Sequence, residues 1–210
     1  GLSGIQSVRD IPRFAAEGVL ADLTPVAARL EPAFVLWEPA RRAGRTYGLP
    51  WVVGTRALFV NRALLRQAGL DPSRPPATWD ELLAAAAGID SLGPEIHGFG
   101  LNAGERYVLF KKFMPFAWGN GGEVLAADGA RSAFDSPANV EALDFYVRLS
   151  KVSLLEKQDV IDRAFMEGRV GMMISGARNL RTIAEGAPDL DFDVALVPQP
   201  APGGGSHASF

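Results

Sequence analysis

Glycine and proline punctuate this chain at short intervals, and that spacing limits its fold more than any other feature. The 210 residues carry 23 Gly and 15 Pro, too many breakers for long uninterrupted helices, so a coiled coil is excluded. Between the breaks, apolar runs alternate with helical patterns. Ala57 to Asn61, Gly98 to Leu101, Val170 to Ile174 and Phe192 to Val197 read as short strands. Gly44 to Gly48 reads as a turn into a further strand-like run, Leu49 to Val53. Helices are expected over residues 10–23 with their exit, Arg62 to Ala68, Arg106 to Trp118, Asp159 to Glu167 and Asn179 to Glu185. Thr78 with Glu81 three residues on is a capping box opening a helix to Gly88. Ser136-Pro137 opens another, whose expected inward face is Val140, Leu143 and Val147 with Ala142, Tyr146 and Leu149. Pro25 to Arg42 is helical or irregular, being broken at Pro32 and Pro39. Short strands alternating with helices predict an α/β fold.

The chemistry missing from the chain is as informative. There is no cysteine, which excludes thiolate zinc sites, iron–sulfur clusters, cysteine nucleophiles and disulfides. The two histidines, His97 and His207, lack metal-ligand spacing, so no metal site is expected. No GxSxG elbow supports a serine hydrolase, and Gly119-Asn120-Gly121-Gly122 is not followed by the Lys-Ser/Thr of a phosphate-binding loop. Carboxylates sit at caps and turns, so no acid–base pair of the glycosidase kind can be drawn from spacing. A net charge of −3 shows no footprint for nucleic acid. No apolar run is long enough to span a bilayer. Gly1-Leu2-Ser3-Gly4 has neither the basic nor the apolar region of a signal peptide. With no initiator Met and an apolar end at Ser209-Phe210, the chain reads as a piece of a longer polypeptide. Among four tryptophans, Trp79 beside its helix cap is expected to pack in the core. Trp51 and Trp118 stand near breaks between elements, where rings can face a sugar.

A collinear series of motifs carries a resemblance. Tyr47-Gly48-Leu49-Pro50-Trp51, then Thr55 to Asn61, resembles the first interdomain crossover of extracellular solute-binding protein family 1, the maltose-binding-like receptors of ABC importers. Ala68-Gly69-Leu70-Asp71-Pro72 with Pro75-Pro76-Ala77-Thr78-Trp79-Asp80-Glu81-Leu82 is similar to the family's most specific stretch. Phe116-Ala117-Trp118 with Asn120-Gly121-Gly122, Phe134-Asp135-Ser136-Pro137, and Ala164 to Gly176 follow in family order. The resemblance implies a two-lobed periplasmic-binding-protein type II fold, truncated here. Residues 1–52 and 206–210 would be parts of the N-terminal lobe, 53–56 and 197–205 hinge crossovers, and 57–196 most of the C-terminal lobe.

The same resemblance implies binding without catalysis. A sugar or sugar-like polyol would be held between the lobes, with closure around it, in a monomer that delivers it to ABC permease subunits. The alternatives are a phosphorylated or acidic solute such as a glycerol phosphate, and a carbohydrate-active hydrolase. The location would be periplasmic or lipid-anchored outside the cell, and no cofactor is implied. Expected ligand contacts are Trp51, Gly54, Thr55 and Arg56 at the crossover, Asn102 and Glu105 after a strand, Trp118, and Ser175, Gly176 and Arg178 after the buried strand. Arg178 stands where the maltose-binding pattern places a stacking Trp, which favours a smaller, more polar or anionic ligand.

Overall fold

The computed structural model describes residues 10–51 and 54–203. The chain divides into two compact units, Gly1–Val53 and Gly54–Phe210.

The first unit is small. Helices α1 (Ile11–Ala16) and α2 (Thr24–Leu30) each begin with proline in the first turn, where a missing N–H costs nothing. Two 3-10 turns, Glu31–Ala33 and Glu38–Ala40, follow. A minimal hairpin then pairs β1 (Arg41–Arg42) with β2 (Arg45–Thr46) across Ala43-Gly44. The turn expected at Gly44 to Gly48 is therefore partly strand. The strand expected from Leu49 is not formed over 49–51, and Val52 and Val53 lie outside the described residues. Pro50 removes the amide that a ladder there would need.

The second unit is a five-stranded mixed sheet sandwiched by helices. In chain order its elements are β3 (Ala57–Asn61), α3 (Arg62–Gln67), α4 (Trp79–Asp90), β4 (His97–Asn102), α5 (Arg106–Gly119), α6 (Pro137–Ser150), β5 (Ser153–Glu156), α7 (Gln158–Met166), β6 (Val170–Ser175), α8 (Arg178–Gly186) and β7 (Phe192–Ala195). The strand order is β5-β4-β6-β3-β7. β4 runs parallel to β5 and β6, while β3 runs antiparallel to β6 and β7. Consequently β4, β5, β6 and β7 all end at the edge where β3 begins. Leu58 and Val60 enter a core with α3 to α6, and Phe59 between them enters a second core with Ile161, Phe165 and Ile183. Both faces of the sheet are thus covered, as an α/β architecture requires.

The capping box forms as the sequence predicts: the Thr78 hydroxyl accepts from the Glu81 N–H, and the Glu81 carboxylate accepts from the Thr78 N–H. It sets Trp79 into the main core, stacked on Phe145 with ring centroids 4.6 Å apart. The inward face of α6 differs from expectation. Ala142, Phe145, Tyr146 and Leu149 are buried, whereas Val140, Leu143 and Val147 are each about 50% exposed. Phe145 and Tyr146 carry the larger apolar volume and meet Trp79, Phe113 and Phe116, which decides the rotation of the helix. Backbone clearance decides how near α4 lies to the sheet. A Cβ on Gly98 would overlap the Ala86 backbone carbonyl, and one on Gly171 would come within 2.6 Å of Ile89.

Candidate functional site

Open α/β sheets place ligand crevices at the carboxyl ends of their strands, and the expected contact residues of the second unit gather mostly there. Asn102 ends β4, Ser175 ends β6, and Ala57 at the start of β3 pairs with Ser175. Gly54, Thr55 and Arg56 therefore approach the sheet beside Ser175, Gly176 and Arg178. Trp118 does not join them. It lies in the last turn of α5, about 18 Å along the helix axis from Arg106, and is packed half-buried against the main core. Trp51 belongs to the first unit and is 93% exposed. His207 lies outside the described residues.

A polar network ties this edge together. Asn102 is buried, and its side-chain amide donates to Glu105 Oε2 at 2.7 Å, while the Glu105 N–H donates back to Asn102 Oδ1 at 3.2 Å. The same Glu105 oxygen accepts the Gln158 N–H at 3.0 Å and so caps α7. Further along, Asp162 Oδ1 accepts from Gln158 Nε2 at 2.7 Å and from Asn179 Nδ2 at 2.9 Å. Asn102 and Glu105 thus lie at this edge, with these atoms engaged by the chain itself. Hydrogen bonds from Gln158 and Asn102 hold the Glu105 carboxyl below its ordinary pKa of 4.5. A depressed carboxylate contributes stability above its unfolded pKa and loses it as pH falls through the folded one. Glu105→Ala is therefore expected to lower the midpoint of thermal unfolding at pH 7, with the difference from wild type shrinking below pH 4.5. Melting curves of both proteins across that range check this.

Two cations lie under the same edge. Lys112, in α5, is only 6% exposed, and its ammonium donates to the Ile174 carbonyl in β6. Burial, and then the Arg56 guanidinium, lower its pKa from 10.5 to about 7, while Asp162 pulls the other way. Arg56 donates from Nη1 to the Thr55 carbonyl at 2.9 Å, and its Nε is buried without an acceptor. Gly176 keeps this arrangement open, since a Cβ there would come within 2.9 Å of Arg56 Nη1. Arg178, exposed at the first position of α8, adds a third cation. Among the described residues no carboxylate forms an ion pair with any of the three. Lys112 was not among the expected contacts. Its signal was helical spacing, which sets it on the buried side with Leu109 and Phe116.

The opposite edge carries a surface hollow lined by Asp90, His97, Lys151 and Ser153 among others. There His97 Nδ1 lies 3.9 Å from Asp90 Oδ1. This places His97 at the amino-terminal end of β4, away from the strand ends. Among the described residues no cluster of three or more His, Asp or Glu could hold a metal, and no helix is long and apolar enough to cross a membrane.

A family model described as bacterial extracellular solute-binding protein matches residues 4–209. The chain belongs to that family. A Brucella abortus (strain 2308) relative, named as a binding protein, is 35% identical over 167 residues, covering 77% of this chain and 40% of the relative. An ABC transporter solute-binding protein from Thermotoga lettingae, solved bound with alpha-D-tagatose, aligns with a TM-score of 0.81 at 34% identity. It covers 90% of this chain and 51% of that one. The sn-glycerol-3-phosphate-binding periplasmic protein of Escherichia coli K12 is 26% identical over 171 residues, covering 76% of this chain and 37% of the relative. The chain therefore spans between 37% and 51% of the length of these relatives. The family and the mixed α/β fold agree with the resemblance carried by the sequence motifs.

Proposed function

We propose that this chain is the ligand-binding part of a non-enzymatic receptor that captures a sugar or sugar-like polyol outside the cytoplasmic membrane and hands it to the transmembrane subunits of an ABC importer. The observation that carries the reading is the convergence of Thr55-Arg56, Asn102 and Ser175-Gly176 on one strand-end edge, in a chain of this family. The tagatose complex of the Thermotoga relative supports a carbohydrate-class solute. The carboxylates at this edge, Glu105 and Asp162, accept from the chain's own amides, an arrangement suited to fixing loops rather than to cleaving a glycosidic bond.

In this reading residues 1–52 belong to an N-terminal lobe and 57–196 form most of a C-terminal lobe. The crossovers are 53–56 and 197–205, with a return at 206–210. β3 and β7 are adjacent strands, so chain arriving at β3 and chain leaving β7 pass the edge side by side, as paired hinge segments would. Solute must bind the closed arrangement better than the open one for closure to follow. The receptor works as a monomer, free in the periplasm or lipid-anchored, and requires no cofactor.

Thermal unfolding of the full chain as encoded, against a panel of sugars and polyols, tests this. A specific solute at 100 times its Kd stabilises by about 2.7 kcal/mol, which raises the Tm of a chain this size by roughly 5–10 °C. Turnover of nitrophenyl glycosides, or silence across the whole solute panel, overturns the proposal.

A further inference from the structure

We infer that Arg56, with Lys112 beneath it, forms a seat for an anionic group carried by the solute, a carboxylate or a phosphate monoester. The inference deepens the receptor reading and rests on it.

Three observations converge on this. First, the Arg56 guanidinium is half used: Nη1 holds the Thr55 carbonyl, whereas Nε is buried and unpartnered. A buried donor without an acceptor is costly, and two oxygens of a carboxylate or a phosphate satisfy such a fork with two bonds at once. Second, the charge here is unbalanced. Lys112 is buried against β6, close enough to Arg56 for the two cations to repel. The nearby carboxylates accept from amides instead of pairing with either cation. An anion would relieve both strains in one step. Third, Gly176 leaves the guanidinium room at the strand end, so the seat adjoins the backbone edge where the remainder of a solute would lie.

The arrangement also makes binding sensitive to pH. Lys112 is faced by Arg56 from the approach to β3, by Glu105 and Lys111 from α5 and its cap, and by Asp162 from α7. Without solute its ammonium gives up a proton near pH 7. A bound anion favours the ammonium, so docking takes up a proton and affinity falls as pH rises through neutrality.

The test uses the full chain and matched pairs: glycerol with glycerol 3-phosphate, glucose with glucuronate, further sugars each with its phosphate or acid, and inorganic phosphate alone. Binding is followed by calorimetry in two phosphate-free buffers of different ionisation heat. The expected result is an anionic member that binds at least tenfold more tightly than its neutral partner and takes up protons. Arg56→Gln abolishes the preference, weakening that ligand by about 10- to 100-fold. Lys112→Met removes the proton uptake and flattens a several-fold loss of affinity between pH 6.5 and 8.5. Equal binding of both members of every pair, or an anion preference that survives Arg56→Gln, overturns the inference and leaves the receptor reading intact. Inorganic phosphate binding as tightly as the phosphorylated solutes overturns the claim that the anion is solute-borne. If no compound in either class binds, the receptor reading fails together with the seat.

Discussion

Lys112→Met is expected to make the protein more stable at neutral pH. In the unfolded chain a lysine stays protonated to about pH 10.4, whereas in the fold Lys112 releases its proton near pH 7. Between these values the unfolded state binds more protons, so wild-type stability rises with pH across that window. Below pH 7 both states carry the charge and the full penalty applies. At about 1.4 kcal/mol per unit of depression, the shift from 10.5 to about 7 amounts to something on the order of 5 kcal/mol. Methionine fills a similar volume without charge and forfeits the hydrogen bond to Ile174, about 1 kcal/mol. The variant should therefore gain several kcal/mol at pH 6.5, with the gain shrinking towards pH 10. Urea unfolding midpoints of both proteins at pH 6.5, 8 and 9.5 measure this. Parallel curves for the two proteins would mean that Lys112 is neither as dry nor as acidic as its surroundings dictate. A gain on removal would also show that the fold tolerates a destabilising lysine at this edge.

Gly98→Ala is the opposite case, one methyl group with a large expected loss. The new Cβ would fall onto the Ala86 carbonyl of α4, and backbone cannot rotate aside as a side chain does. Either α4 lifts from β4 or the β4–β6 register distorts, and both disturb the cluster of Ala86, Ile89 and Phe99. The cost is expected to reach about 3 kcal/mol or more, a fall in Tm of roughly 6–12 °C for a chain of this length. Gly93→Ala is the matched control, because nothing lies within 4 Å of its added Cβ. It should leave stability unchanged or raise it by up to about 1 kcal/mol. Similar losses from both substitutions would show that α4 does not rest on a glycine contact at all.

Much of the second unit was legible because local signals and tertiary packing agree there. Thr78 and Glu81 cap α4 as their spacing predicts, and the apolar run at Val170 is the buried central β6. β5 went unread because Ser153–Glu156 is four residues long and lies at the sheet edge, with no alternation to mark it. α6 misled for a different reason. It carries two apolar stripes of the same period, one through Val140, Leu143 and Val147 and one through Ala142, Phe145, Tyr146 and Leu149. Periodicity alone cannot choose between them; the aromatic partners on α4 and α5 do. At the strand-end edge, motif order pointed to Arg56 and Ser175, and the break between a strand and a helix pointed to Asn102. The binding of Asn102 to Glu105 and the separation of Trp118 depend on pairings that spacing along the chain does not encode. Of the adjacent Lys111 and Lys112, the helix turns the second inward.

The reversed strand β3 has a consequence for how the molecule is made. It is the first strand of the sheet to be synthesised, yet both its partners come late: Ala57 pairs with Ser175 and Leu58 with Ala195. At about 5–20 residues per second, a ribosome needs roughly 6–24 s to produce the first of those partners. Through that interval Leu58, Phe59 and Val60 have no sheet to join. Helices α3 and α4 can form locally, but the central strand pairing waits on distant chain and adds to the contact order. The nascent sheet is then most vulnerable to aggregation between the synthesis of β3 and that of β6, and its pairing is complete only when β6 slots in between β4 and β3.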